Sequence, residues 1–256
     1  MSAGVREYRT VAFGDADSGV WLTARAPAER GPGTASVLGR TAVPEHLDAA
    51  ISAPDSEGDW TLSAEGVELE LVPTGDAVEL ELGNTGLVAI DQPCLVRGAV
   101  SFDGAAREFE VLGRRGRRSP PDWSRLGSVR ELAAWVAPTA SMLVVAARPR
   151  KTRGHEDDAL AAFLFDDGVA TRVNDPRLST TYDRRELPIK AGVELWVGEE
   201  ENEYPRRGAG EAAAVATVRE DEGTRRTLIP FRWRMAGGEG TGVYELAEPP
   251  ANASRV

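Results

Sequence analysis

The rhythm of this chain limits its fold more than any other feature. Short runs of alternating apolar and polar residues recur along most of its length, separated by turn residues roughly every 8–12 positions. Trp60-Thr-Leu-Ser-Ala64, Val67-Glu-Leu-Glu-Leu71 and Ala77-Val-Glu-Leu-Glu-Leu82 each place every second side chain on one face. A strand does that and a helix does not. In the second half, Ala159–Phe165 turns at Asp166-Asp167-Gly168 and returns at Val169–Val173. Gly192–Val197, Gly210–Val218, Thr224–Trp233 and Val243–Leu246 repeat the pattern. Strands never alternate with long helices, which excludes a nucleotide-binding α/β fold. The prediction is an all-β, antiparallel protein with few short helices. The pattern is that of a sandwich or barrel, and 256 residues are enough for one large β domain or two small ones.

Three stretches read differently. Gly14–Gly19 is a polar turn between the strands Thr10–Phe13 and Val20–Arg25; its acids have calcium-loop spacing, but the closing glutamate is missing. Pro44-Glu45-His46 opens a predicted helix over 44–51, with His46 on its solvent side, because proline and an acid suit a helix start. Ser128–Glu131 resembles a capping box before Leu132–Val136, so 128–137 reads as helix or strand. Ser141–Ala147 is apolar throughout, as a strand buried on both faces would be.

The most distinctive stretch is Leu95–Trp123. A strand reaches Asp103-Gly104, whose positive-φ residues suit a tight hairpin, and Glu108–Val111 returns by alternation. Gly113 and Gly116 are expected to break that strand, leaving Arg114, Arg115, Arg117 and Arg118 in a basic loop closed by Ser119-Pro120-Pro121-Asp122-Trp123. The arginines suit an anionic ligand, an acidic partner surface, or solvent.

The formal net charge of −11 argues against general affinity for nucleic acid. The single cysteine, Cys94, permits no internal disulfide and suits a reducing cytoplasm. The first ten residues lack the apolar segment of a secretory signal, and no run approaches the roughly 20 apolar residues of a membrane span. Asn252-Ala-Ser254 is read as a chance glycosylation match.

No nucleophile elbow, zinc-protease motif, paired-cysteine motif or phosphate loop occurs, and two histidines cannot make a histidine-rich metal site. Neither metal nor cofactor is expected. Gly238–Gly242 reads as a flexible hairpin. Gly154–Asp158 with its His155 reads as a solvated loop or a general base. Trp135, Trp196, Phe231 and Trp233 sit in strand contexts and would be core, or would line a cavity if a barrel keeps one.

Gly98-x-Val100-x-x-x-Gly104, the strand end Val111-Leu112-Gly113, the basic loop and Asp122-Trp123 together resemble the AttH-like group, which includes the hydroxyneurosporene synthases (carotenoid hydratases). Tocopherol cyclase and some fungal Diels–Alderases have related folds. That group's loop reads approximately G-x-G-x-R-D-H-S-W-G-x-R-D-W. Here Arg118 stands in place of its histidine and Pro120-Pro121 in place of Trp-Gly. The resemblance implies two lipocalin-like barrel halves in tandem, dividing the chain into 1–125 and 126–256, with an apolar ligand within or between them. It carries over only Asp122, as a candidate catalytic acid, and Trp123, as a candidate ligand-binding residue; Arg118 of the loop and Trp135, Trp196 and Trp233 of the strands are further ligand-binding candidates. Three functions remain: binding of a hydrophobic, isoprenoid-like molecule; hydratase- or cyclase-type catalysis, which would need a buried Asp122 with a raised pKa; or the role of an accessory protein bound to a partner through the arginine loop.

Overall fold

The computed structural model describes residues 7–29, 31–40, 43–53, 58–136, 139–152, 154–155, 157–198, 204–221 and 223–250. Asn252 and Glu156 lie outside the described residues. All strand pairs are antiparallel, and they form two sheets.

The first sheet begins as a meander: β1 (Tyr8–Asp15), β2 (Val20–Pro27), β3 (Gly33–Gly39), β4 (Glu45–Ser52), β5 (Trp60–Ala64) and β6 (Val67–Pro73). After the short β7 (Val78–Glu81) come two long strands, β8 (Val88–Phe102) and β9 (Ala105–Arg118), joined at Asp103-Gly104 with φ of 53° and 74°. β9 pairs with β1 from Tyr8↔Arg118 to Phe13↔Gly113. β8 pairs with β9 on one flank, and on the other with β6 from Val67↔Val100 to Pro73↔Cys94. That second pairing closes an eight-stranded barrel. The first residues of β8 extend beyond it and carry β7.

The second sheet holds β10 (Leu126–Trp135), β11 (Ala140–Pro149), β12 (Ala159–Asp166), β13 (Val169–Arg172), β14 (Asp175–Tyr182), β15 (Pro188–Trp196), β16 (Arg206–Ala212), β17 (Thr217–Asp221), β18 (Thr224–Met235) and β19 (Gly238–Glu248). Its order is β13-β12-β11-β10-β19-β18-β16-β15-β14, with β17 on β18. This sheet curls without closing.

Both curled interiors are filled with side chains. Phe13, Leu22, Val37, Leu62, Leu71 and Val96 occupy the barrel at essentially zero exposure. Leu132, Val144, Leu195, Phe231, Trp233 and Tyr244 do the same in the half-barrel. The outer faces of β1, β2 and β8 pack on β10, β11, β18 and β19 through two mixed apolar clusters. Trp21 and Leu38 meet Trp135 and Leu228 in one, and Leu80 and Ala89 meet Val129 and Val145 in the other.

Three sequence expectations are corrected, and one that was left open is decided. Residues 45–52 are strand β4, not helix. Ala49 and Ile51 face the core while Asp48 and Ala50 face out, and pairing with β3 and β5 overrides the local helix-start chemistry. Residues 126–135 are strand β10, buried on both faces, which hides its period of two. Gly113 and Gly116 do not break β9. They lie where a Cβ would collide with neighbouring backbone, 2.9 Å from Ala12 O and 2.2 Å from Ile90 O. Gly238–Gly242 is not a flexible hairpin but the start of β19, where a Cβ on Gly240 would lie 2.0 Å from Trp135 O.

Candidate functional site

The continuation of β9 settles what its arginines do. In a strand, residues 114, 116 and 118 share a face, and here that face meets the second sheet. Arg114 donates to Asp91 Oδ1 at 3.0 Å and to Glu131 Oε2 at 3.1 Å. Arg118 donates through Nε and Nη2 to Glu131 at 3.0–3.1 Å, and through Nη2 to Asp91 Oδ2. Arg115 points the other way. Its guanidinium holds Gln92 Oε1 at 2.7 and 2.9 Å and the carbonyl of Leu71 at 3.1 Å, above the Trp60 ring. Glu131 lies opposite Glu245 across β10 and β19, a like-charge pair that needs cations beside it. Arg226 supplies one to Glu245 as a two-pronged pair at 2.6 and 2.8 Å. Burial alone would raise the Glu131 pKa, but Arg118 and Arg114 override it and hold the carboxyl at about 2.

Beside this network a cleft of about 70 Å³ opens between the two sheets. Tyr8, Ala26, Pro27 and Pro32 give it apolar walls, and Thr34 and Thr224 give it hydroxyls. Arg25 of β2 lies over the Tyr8 ring with its Cζ 3.6 Å from the ring centroid. Trp123 reaches the cleft from outside: its indole Nε1 donates to Thr224 Oγ1 at 3.1 Å.

The remaining sequence candidates scatter. Asp122 is exposed and structures the loop, accepting from Ser124 N at 3.0 Å and Ser124 Oγ at 2.6 Å. Those bonds lower its pKa, so it lacks the burial and raised pKa that an acid catalyst at that position requires. Arg118 is fully engaged by carboxylates. Trp135 is buried between the sheets, lining a crevice of only about 10 Å³ beside Arg114. Trp233 packs on Phe231 inside the half-barrel at 0% exposure. Trp196 lies partly exposed, 5.8 Å from the Arg177 guanidinium. Of the candidates, only Trp123 touches the cleft lining. Sequence reasoning missed Arg25, whose neighbours come from β1, β3 and the β17–β18 turn.

A second polar cluster lies where the half-barrel fails to close, between β14 and the start of β12, which pairs with β11 alone. Asp158, with its side chain fully buried, pairs with Arg130 of β10. It also meets His155 Nδ1 at 3.0 Å. The other ring nitrogen faces Tyr182 OH at 3.4 Å, and Arg130 Nη1 donates to Thr180 Oγ1 at 3.0 Å. A carboxylate on Nδ1 fixes the tautomer with a basic Nε2 turned to the phenol. Burial first, and Arg130 second, push the His155 pKa down, so the ring is neutral at neutral pH. His46 lies on a strand and not a helix, but it is exposed as expected, and its ring also bridges the sheets, with Ser36 Oγ at 3.0 Å and Thr217 Oγ1 at 3.1 Å.

No family model and no curated protein matches the chain. Solved structures do match. An AttH-designated protein from Nitrosomonas europaea superposes with a TM-score of 0.67 at 10% identity, over 94% of this chain and 92% of that one. The crystal structure of CghA superposes with a TM-score of 0.60 at 13% identity, over 96% of this chain and 89% of that one. At such identities the likeness is one of fold: the chain has the AttH-like, lipocalin-like architecture. No helix among the described residues is long and apolar enough to cross a membrane.

Proposed function

We propose that the protein binds a small molecule with an apolar body in the cleft between its two β units. Lipocalin-like folds commonly hold ligands within a barrel, but here side chains occupy both interiors. The observation that carries the reading is the cleft itself, with apolar walls, two hydroxyls and a cation meeting where Trp123 of the signature loop arrives. Its size favours a short molecule, or the end of a longer, isoprenoid-like one whose remainder stays outside, since sites enclosing a drug-sized ligand span roughly 300–1,000 Å³. The buried lone Cys94 and the acidic composition support a reducing, cytoplasmic setting away from nucleic acid. Native mass spectrometry after incubation with a lipid and isoprenoid extract tests the reading. A bound apolar species should appear with the wild type and vanish in Thr34→Trp, which fills the cleft, and in Trp123→Ala. Retention in Thr34→Trp, or no bound species in the wild type, overturns it.

One observation favours a second reading, hydratase- or cyclase-type chemistry. Such chemistry needs a proton donor and acceptor, and Tyr182–His155–Asp158 has the geometry of a proton relay that Asp122 lacks. If the captured molecule gains one water on prolonged incubation with wild type but not with His155→Gln, catalysis replaces binding as the function. Cyclisation conserves mass, so the product is compared by chromatographic retention as well, and a molecule unchanged in both mass and retention with both proteins leaves the relay structural.

A further inference from the structure

Three carboxylates, Asp91, Glu131 and Glu245, stand in the network between the sheets. Arg114, Arg118 and Arg226 answer them, each with at least one bond of 3.1 Å or less. Asp221, at the margin, belongs to Arg219 at 3.4 Å and approaches Arg226 at 3.8 Å. Arg25 is therefore the surplus cation. Among the described residues no carboxylate lies within ion-pair distance of it, Glu245 and Glu131 acting on it only from farther off, and its Nε is buried without a hydrogen-bond partner. What it does have is the Tyr8 ring beneath and the cleft in front. A guanidinium drawn out of water with no anion beside it is costly, and this one presents a rigid fork of the kind that matches an oxyanion.

The rest of the lining agrees. The Thr224 oxygen already accepts the Trp123 indole proton, which leaves its own hydroxyl proton free to donate into the cleft. The Thr34 hydroxyl stands on the opposite wall. Ala26, Pro27 and Pro32 offer nothing polar in their side chains to an occupant. Asp221 is the one acid on the lining among the described residues, and its charge is offset by Arg219 and Arg226. A fork, two hydroxyls and an apolar rim suit an anionic head on an apolar tail.

We infer that the cleft selects carboxylates: Arg25 pairs with the carboxylate of a short-chain or longer aliphatic acid, Thr34 and Thr224 donate to it, and the tail leaves along Ala26, Pro27 and Pro32. This rests on the cleft being the binding site and adds what the ligand must carry.

The probes are hexanoate, hexanamide and inorganic phosphate, added to the full chain. The local readout is the Trp123 indole N–H resonance, assigned with Trp123→Phe, and affinity is taken from its titration. Hexanoate should shift the resonance and bind about 10- to 100-fold more tightly than hexanamide. Arg25→Met should abolish the preference, and Arg25→Lys, which keeps the charge without the fork, should retain part of it. Equal binding of hexanoate and hexanamide overturns the carboxylate inference and leaves cleft binding standing. Phosphate binding more tightly than hexanoate also overturns it, in favour of a general oxyanion site. No response to any probe, combined with no species captured from the extract, removes both readings. If Arg25→Met does not fold, the contrast between hexanoate and hexanamide in the wild type decides alone.

Discussion

The two sheets start from the same material and end differently. Both are antiparallel and filled with aliphatic and aromatic side chains, yet the first closes and the second does not. The difference lies in single strands. β8 is 15 residues long, enough to pair with β9 along its whole length while its second flank serves β6 and then β7. The last strands of the second sheet have no such partner. β13 has four residues, and β14 pairs only with β15. The open unit bridges its gap with side chains instead, through Arg130, Asp158, His155, Thr180 and Tyr182. Closure by backbone removes edges outright, whereas closure by side chains leaves a titratable joint. Among the described residues both interiors are filled with side chains, and the proposed ligand therefore sits where the units meet.

The sharpest way to break this arrangement is to uncouple the units. Arg118→Met leaves Asp91 and Glu131 short of a cation, and should cost about 3–5 kcal/mol in urea unfolding. Hydrogen exchange should rise along β9 and β10 while β3 to β5 stay protected. A variant as stable as wild type would show the network to be dispensable. The same network sets the acid limit. The Glu131 pKa is depressed to about 2 in the folded protein, so its stabilisation is present above the ordinary glutamate pKa of about 4.3. It should drain as pH falls from there toward 2. Acid unfolding followed by tryptophan fluorescence checks that window, and in Glu131→Gln the slope should flatten.

Barrel closure is tested at Gly98, which has φ of 130° and pairs with Leu69 of β6. A Cβ there would lie 2.1 Å from Glu68 O. Gly98→Ala should cost about 3 kcal/mol and raise exchange in β6 and β8 before any other strand. Uniform loosening would mean that closure there is not a local event.

The seam is softer. Asp158→Asn keeps a hydrogen-bonding group but leaves Arg130 uncompensated. It should cost about 2 kcal/mol, with exchange rising in β12 and β14 alone. His155 and His46 both have lowered pKa values, burial being the first cause in each. The unfolded chain therefore takes up their protons first, and stability should fall as pH drops below about 6.5. His155→Gln should remove part of that slope, as a thermal melt series across pH 5–7.5 would show. The smallest effect belongs to Trp21→Phe, which deletes the 2.6 Å bond from Trp21 Nε1 to Thr241 Oγ1 across the interface. About 1 kcal/mol is expected, and a larger loss would give this one bond an outsized share of the coupling.

The fold was legible wherever one face of a strand is wet. Val67–Leu71 alternates in sequence and in burial alike. It was illegible where both faces are covered. In β10, Arg130, Leu132 and Ala134 face the half-barrel while Val129, Glu131 and Ala133 face the first unit, so no period of two survives to be read. The arginines of β9 looked like a loop because their partners are remote: Asp91 lies 23 and 27 residues away from Arg114 and Arg118, and Glu131 17 and 13. Of the candidate site, sequence located Trp123 and the basic segment. Arg25 is one arginine in an ordinary strand, and what distinguishes it, the lack of an ion-paired carboxylate among the described residues, is a property of its surroundings.

Each unit is tied first strand to last. β1 pairs with β9 through Tyr8↔Arg118, and β10 with β19 through Val129↔Ala247. Such long-range pairing makes for slow folding. On a ribosome, where domains form from the N-terminus onward, the barrel cannot shut until its final strand has emerged. That strand brings Arg114 and Arg118 to the single carboxylate of Asp91, and Glu131, which answers the remaining charge, follows Arg118 by only 13 residues. The first unit thus finishes its own sheet while still carrying unmet charge on the face where the second must dock. The order of synthesis presents a cationic template just before the strand that fits it.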